Sequence, residues 1–171
     1  MSWINKDKCV KGMRLDIGAG NPDDGEVQPN GFVLNDVGAH KNIDLVCNIK
    51  DLLQFVPEGY CSEVRASHIL EHFGTQEVVG VVKIVNKLLE DDGRFTIFVP
   101  NFLWHIQLAL EDHEKEAIHY AFGGQLDEFD YHKTGFTPRL LKKLLEDNGF
   151  TVQTLVNQTN ISCVALKTST R

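Results

Sequence analysis

Residues 13–20 read Met-Arg-Leu-Asp-Ile-Gly-Ala-Gly, a short apolar run that passes directly into two closely spaced glycines. An apolar run followed by glycines is typical of a buried strand that ends in a tight turn. Residues 21–31 contain two prolines and two glycines, so they cannot hold a helix of any length. We therefore expect a strand at residues 13–17, a glycine turn, and then a loop.

Downstream of this segment, predicted strands alternate with predicted helices. Apolar residues at helical spacing predict a helix over residues 75–91 with Thr75 as its N-cap. Thr137 followed by Pro138 predicts the start of a second helix, which closes within residues 146–150. Further strands are predicted at residues 31–36, 43–48, 63–67, 94–100, 150–157 and 161–167.

This alternation predicts the fold class. Strands connected through helices form a mostly parallel sheet with helices packed on its faces. We predict an α/β three-layer sandwich, with a doubly wound sheet of about seven strands that an antiparallel C-terminal hairpin closes. A loop replaces its first crossover helix. The 171 residues suit a single domain, with a lid-like insertion at residues 101–136. Ligands of such sheets bind at the carboxyl ends of the strands.

Composition narrows the choice of partner and compartment. The chain has 17 basic and 24 acidic residues, a net charge of −7, and no basic cluster beyond Arg139, Lys142 and Lys143. This argues against binding to a nucleic-acid backbone, and no apolar stretch approaches the ~20 residues of a membrane span. Four scattered cysteines form neither a metal motif nor a dense disulfide framework. We expect a cytoplasmic protein with a small-molecule partner.

Several segments, taken in order, resemble the class I S-adenosylmethionine-dependent methyltransferases, and in particular small type-11-like members. No single segment is specific, but the ordered set covers about residues 13–166. The segments are 15–21 (LDIGAGN), Asp36 at a strand end, Asn48 with Ile49, 67–73 (SHILEHF), 88–95 (LLEDDGRF) and 99–101 (VPN).

The resemblance implies S-adenosylmethionine as the cofactor. Asp36 would accept hydrogen bonds from the ribose hydroxyls, and Asn48 with Ile49 would hold the adenine, although the family usually has Asp where Asn48 stands. The glycines would let the backbone approach the cofactor, and Asp16 would brace their loop. The implied cofactor-binding residues are Asp16, Gly18, Ala19, Gly20, Asn21, Asp36, Asn48, Ile49 and Ser67.

The insertion at residues 101–136 is rich in polar aromatic side chains, as a lid over a substrate would be. The residues that we expect to face the substrate are Trp104, His119, Tyr120, Gln125 and His132. The alternative is that these histidines are surface or structural residues. Little sequence precedes the first strand, so a homodimer is one way to exclude water from the site.

Methyl transfer requires alignment of the acceptor, and an acceptor hydroxyl or amine benefits from a base with a pKa near neutrality. His68 or His72 would serve as that base, with Glu71 orienting one of them. The alternative is that Glu71 and His72 cap the following helix and tie the loop down.

Three other interpretations of the function remain. Residues 68–72 spell the zinc-peptidase pattern H-x-x-E-H, but that site needs His68 and His72 one turn apart on one helix, whereas a strand is predicted before them. We therefore expect no metal ligands. A nicotinamide dehydrogenase would need a third glycine where Asp23 stands. The main alternative is a module of the same fold that binds the cofactor or a partner without catalysis.

Overall fold

The computed structural model describes residues 1–24, 28–126 and 128–169. Its centre is one eight-stranded sheet. The strands are β1 (Ser2–Trp3), β2 (Met13–Ile17), β3 (Val33–Asp36), β4 (Leu45–Val46), β5 (Cys61–Ser67), β6 (Leu89–Pro100), β7 (Phe150–Asn157) and β8 (Asn160–Lys167). The helices are α1 (Thr75–Leu88), α2 (Phe102–Leu110), α3 (Glu114–Phe122) and α4 (Pro138–Glu146).

The strand order is β1-β4-β3-β2-β5-β6-β8-β7. Strands β2 to β6 pair in parallel, whereas β8 runs antiparallel to both β6 and β7. This confirms the predicted α/β sheet with its closing hairpin. The eighth strand is β1, which pairs antiparallel with β4. The chain leaves β2 toward β3 on one side and later adds β5 on the other, so the strand order reverses at β2. A ligand crevice is expected at the carboxyl ends there.

One face of the sheet carries the main core. Leu15, Val64 and Phe95 project from three neighbouring strands and pack in one cluster with Val82 of α1 and Leu141 of α4. All five side chains are fully buried. Burial of this apolar area is the main contribution to the stability of such a fold.

The opposite face of the same strands is more polar, because successive side chains of a strand point to opposite sides. Asp16 is buried there, and its carboxylate accepts hydrogen bonds of 2.8 and 2.9 Å from Nη1 of Arg65. The Thr96 hydroxyl donates a hydrogen bond of 2.8 Å to the carboxylate of Glu63.

The two longest predicted helices are present with corrected ends. Helix α4 starts at Pro138, and Oγ1 of Thr137 accepts a hydrogen bond from the Leu140 amide as predicted. Helix α1 starts at Thr75, but its N-cap is Gly74, whose amide donates to Glu77, so the prediction that Thr75 is the cap was wrong. Helix α1 ends at Leu88 because the next residue already pairs with β5.

The connection between β2 and β3 contains, among its described residues, a single 3-10 turn at Pro22–Asp24 and no α-helix; residues 25–27 lie outside the described part. The insertion at residues 101–136 contains α2 and α3, which pack against each other. No described helix is long and apolar enough to cross a membrane.

Candidate functional site

A cleft of about 250 Å³ opens at the carboxyl ends of β2, β3 and β4. Gly18 directly follows β2, Asp36 ends β3, and Asn48 with Ile49 follows β4. The lining residues are Gly18, Asn35, Asp36, Val37, Cys47, Asn48, Ile49, Lys50, Ile69, His72, Phe73, Glu77, Phe129 and Lys133. Four of the nine residues predicted to bind the cofactor therefore line one cleft at the switch point of the sheet.

Asp36 is fixed between two loops at the floor of this cleft. Its Oδ2 accepts a hydrogen bond of 3.0 Å from the Gly20 amide, and its Oδ1 accepts one of 2.8 Å from the Gly38 amide. An ionised carboxylate has about four acceptor positions, so these two bonds leave room for further donors, and Nε2 of His40 lies 3.7 Å from Oδ1. The geometry suits a ligand that presents adjacent hydroxyl groups.

Gly18 is needed for a close approach of two loops. Its φ is +66°, a conformation that favours glycine, and a Cβ built on it would lie 2.5 Å from Cγ1 of Ile69. Ile69 lies in the segment after β5, so the absence of a side chain at Gly18 lets this segment close on the loop after β2.

Asn48 and the buried Cys47 form the wall of the cleft beside β4. Oδ1 of Asn48 accepts a hydrogen bond of 3.0 Å from the Lys50 amide and thereby caps the 3-10 turn Ile49–Gln54. Nδ2 of Asn35 donates to the carbonyl oxygens of Leu45 and Cys47, which holds β3 to this wall.

The other predicted cofactor residues lie near the cleft without lining it. Asp16 projects to the polar face and binds Arg65. The Ala19 amide donates to the carbonyl of Asn35, and Oδ1 of Asn21 accepts a hydrogen bond from the Asp23 amide. These contacts shape the loop after β2. Gly20 contributes its amide to Asp36, and Ser67 ends β5.

Sequence reasoning missed most of the cleft's apolar wall. Ile69, Phe73 and Phe129 line it, and the two phenylalanines offer flat apolar surface for a ring. Lys50 forms an ion pair with Glu77 beside them. Phe73 belongs to the segment 67–73 that carried the resemblance, but nothing in the sequence marks Phe129, which lies far along the chain in the insertion.

The five residues that we expected to face the substrate do not line this cleft. Because α2 and α3 pack together, the Tyr120 ring instead stacks on His105 at 5.5 Å and meets Trp104 and His119 edge-on. Gln125 is exposed, with its amide 3.4 Å from the Asp130 carbonyl oxygen. The insertion instead presents Phe129 and Lys133 to the cleft.

The segment after β5 brings the predicted catalytic residues together. Nδ1 of His68 lies 3.3 Å from Oε1 of Glu71, which is 1% exposed. His72 lines the cleft, and its ring centroid lies 5.0 Å from that of His132. A second, very small cavity lies on the other side of this group, lined by Glu71, His105, Tyr120 and His132 among others.

The geometry does not match the zinc-peptidase alternative or the proposed helix cap, although contacts of Glu71 and His72 with residues 131–134 do tie this loop down. His68 adopts a φ of +51° before the 3-10 turn Leu70–His72, so His68 and His72 do not share the helix that an H-x-x-E-H zinc site requires. The N-terminus of α1 is capped by Gly74 and Glu77, and not by Glu71 or His72.

Burial changes the protonation of two histidines in the insertion. Desolvation lowers the pKa of His132, with opposing contributions from Glu71 and His72, and burial likewise lowers the pKa of His105. Burial therefore favours the uncharged form of both rings.

No protein-family model matches this chain, and no curated protein sequence matches it either. Solved structures do match it. The CurJ carbon methyltransferase aligns with a TM-score of 0.65 and 17% identity over 94% of this chain, which spans half of that structure's length. The 1,6-didemethyltoxoflavin-N1-methyltransferase of Burkholderia thailandensis, solved with S-adenosylhomocysteine, aligns with a TM-score of 0.62 and 18% identity over 94% of this chain and 72% of its own. A methyltransferase of Archaeoglobus fulgidus aligns with a TM-score of 0.63 and 15% identity over 94% of this chain and 88% of its own. These similarities establish the class I methyltransferase fold.

Proposed function

We propose that this chain is an S-adenosylmethionine-dependent methyltransferase that acts on a small-molecule acceptor. The main support is the convergence of Gly18 and Asp36 on one cleft at the switch point of the sheet, with the Asp36 carboxylate fixed by the Gly20 amide. The structural neighbours add that the same fold, in other proteins, belongs to methyltransferases.

The residues of the cleft fit the cofactor. Asp36 lines the cleft and accepts two backbone hydrogen bonds, so about two of its acceptor positions remain for the ribose hydroxyls, and Gly18 lines the cleft beside it. Asn48 and Ile49 would hold the adenine, with Phe73 and Phe129 as apolar surface around it. When bound, the cofactor supplies an electrophilic methyl group on a sulfonium centre.

His72 is the predicted catalytic residue that lines the cleft, so we assign it to the acceptor side. Its Nδ1 lies 3.2 Å from the carbonyl oxygen of Tyr131, which orients the ring. Glu71 and His68 lie behind it, with Nδ1 of His68 3.3 Å from Oε1 of Glu71. Catalysis here consists of aligning the acceptor and excluding water, because the sulfonium is already a good leaving group.

The net charge of the chain and the volume of the cleft favour a small acceptor molecule. The chain carries a net charge of −7, and its cleft is about 250 Å³ in volume. A polyanionic acceptor such as a nucleic acid would be repelled. One neighbour of the same fold is solved with bound 1,6-didemethyltoxoflavin, a small molecule.

The substitution Asp36→Ala tests the placement of the cofactor. We expect weaker binding of both S-adenosylmethionine and S-adenosylhomocysteine, by about 1.5–3 kcal/mol, because hydrogen bonds to a charged group are lost. Isothermal titration calorimetry measures both dissociation constants. Asp91→Ala is the matched control, since Asp91 is an exposed acid of β6 outside the cleft.

Asp36 also ties two loops together, so circular dichroism and the Tm must show that the variant is folded. Asp36→Asn keeps the side-chain shape and should give an intermediate loss. An unchanged dissociation constant in a folded Asp36→Ala variant would contradict the placement. Binding of both compounds without release of S-adenosylhomocysteine across hydroxyl, amine and thiol acceptors would favour a non-catalytic module.

A further inference from the structure

Glu71, His72 and His132 bring metal-binding atoms together beside the cleft. One nitrogen or oxygen atom from each residue lies within 4.8 Å of the other two. One carboxylate with two imidazoles is a donor set that proteins use for zinc and related divalent ions. Zinc–nitrogen bonds are about 2.0–2.1 Å long, so a bound ion would draw the three side chains closer by small rotations.

The backbone fixes both histidines in the tautomer that a metal requires. Nδ1 of His72 lies 3.2 Å from the carbonyl oxygen of Tyr131, and Nδ1 of His132 lies 2.9 Å from that of Tyr120. A carbonyl oxygen only accepts, so each Nδ1 carries the hydrogen and each Nε2 presents its lone pair. Histidine ligands of protein-bound metals ordinarily make this second hydrogen bond to a carbonyl or a carboxylate.

The carboxylate of Glu71 is buried without a hydrogen-bond donor in the described part of the chain. The residue is 1% exposed, and neither carboxylate oxygen accepts a hydrogen bond from the described part of the chain. His68 Nδ1 is 3.3 Å from Oε1, without hydrogen-bond geometry. A buried carboxylate without donors is costly, and coordination of a cation would satisfy it.

The backbone also preorganises the third ligand. The amides of Lys133 and Thr134 both donate to the carbonyl oxygen of Glu71, at 2.7 and 3.2 Å. The segment that carries His132 is thereby bound directly to the segment that carries Glu71 and His72, although about 60 residues separate them in the sequence. The three ligands are held together by the fold and not by sequence proximity alone.

We propose that Glu71, His72 and His132 form a binding site for a divalent transition-metal ion of the zinc type. This set differs from the helical H-x-x-E-H arrangement, because its third ligand comes from the insertion and His68 is not part of it. His72 also lines the cleft, so the ion would border the acceptor side and could bind an acceptor oxygen or sulfur in an open position. That last role depends on the proposed methyltransferase function; the metal site itself does not.

The test is direct metal binding by the full chain. Chelator-treated protein is titrated with Zn²⁺ by calorimetry, and Co²⁺ absorption reports the coordination. We expect one ion per chain with a dissociation constant below about 1 μM, since the site has three protein ligands, of which Glu71 is buried and the two histidines are half-buried. Glu71→Gln, His72→Asn and His132→Asn should each weaken binding by about 100-fold or more.

His113→Asn is the matched control, because His113 is an exposed histidine of the same insertion outside the cluster. Circular dichroism verifies that each variant is folded. Absence of stoichiometric zinc binding by the wild-type chain would overturn the proposal, and so would equal affinity in folded Glu71→Gln and His132→Asn variants. Zinc binding that persists in Asp36→Ala while S-adenosylmethionine binding is lost would separate this site from the cofactor site. Loss of zinc binding in Glu71→Gln with unchanged cofactor affinity would be the converse result and would also support the proposal.

Discussion

Helices α2 and α4 both have nine residues, but they differ in which of their side chains are buried. In α4, Leu141 and Leu145 are fully buried against the sheet, and most of the remaining side chains are polar and exposed. In α2 most residues are apolar, yet His105 is its one buried residue, and Leu110 is 75% exposed. The comparison teaches that burial follows from where the chain leaves the sheet and not from the apolar content of the helix.

Polar contacts at its first turn hold α2. Asn101 is 3% exposed, and its Nδ2 donates to Oδ1 of Asn157 and to the carbonyl oxygen of Gln158 at 2.6 and 2.7 Å. Its Oδ1 caps the helix through the Leu103 amide, and the Phe102 amide donates to the carbonyl oxygen of Phe136. The hydrophobic effect therefore stabilises α4, whereas hydrogen bonds position α2 beyond the end of β6.

The largest effect on stability is expected from the core side of α4. Leu141→Ala removes a fully buried side chain from the main core and leaves a cavity, so the free energy of unfolding should fall by about 3 kcal/mol. Urea unfolding followed by circular dichroism measures it.

Leu140→Ala is the matched control on the same helix, because Leu140 is 56% exposed. It should change the free energy of unfolding by less than about 0.5 kcal/mol. Equal losses of unfolding free energy in the two variants would show that α4 does not pack on the sheet through Leu141.

A smaller effect is expected from the anchor of α2. Asn101→Ala removes the helix cap and two hydrogen bonds of a buried amide, and it leaves the acceptors of the exposed Asn157 and Gln158 to water. We expect a cost of about 2 kcal/mol, concentrated in α2. Hydrogen exchange measures it, as faster exchange of the amides of α2 with little change in β6 and β8. A uniform increase in the amide exchange rates of all strands would instead mean that α2 and the sheet unfold as one unit.

The elements that the sequence predicted well are those whose signals are local. Strand β2 has the predicted bounds because the glycines end it, and Thr137 with Pro138 marks the start of α4 by cap chemistry alone. Gly18, Asp36, Asn48 and Ile49 line one cleft because each follows or ends a strand, and parallel strands bring their carboxyl ends together. Their roles in cofactor binding stay predictions.

The parts that the sequence did not predict depend on contacts between distant segments. Phe129 and Lys133 reach the cleft because the Lys133 amide binds the carbonyl of Glu71, a pairing that no local pattern marks. Trp104 and His119 face Tyr120 because α2 and α3 pack together. The Gly74 cap of α1 escaped prediction because glycine has no side chain to signal it.

The smallest effect is expected at the exposed end of α2. Leu110→Lys should change the free energy of unfolding by less than about 0.5 kcal/mol, because the side chain is 75% exposed and loses almost no packing. Urea unfolding at two protein concentrations tests this, with Leu141→Ala as the contrasting core substitution. A loss above about 1 kcal/mol that grows with protein concentration would mean that a second copy of the chain covers α2, in a homodimer of the kind that the sequence analysis considered. In that case the apolar residues of α2 would be buried, as the leucines of α4 are. The two helices would then differ only in whether the surface that covers them belongs to the same chain or to another.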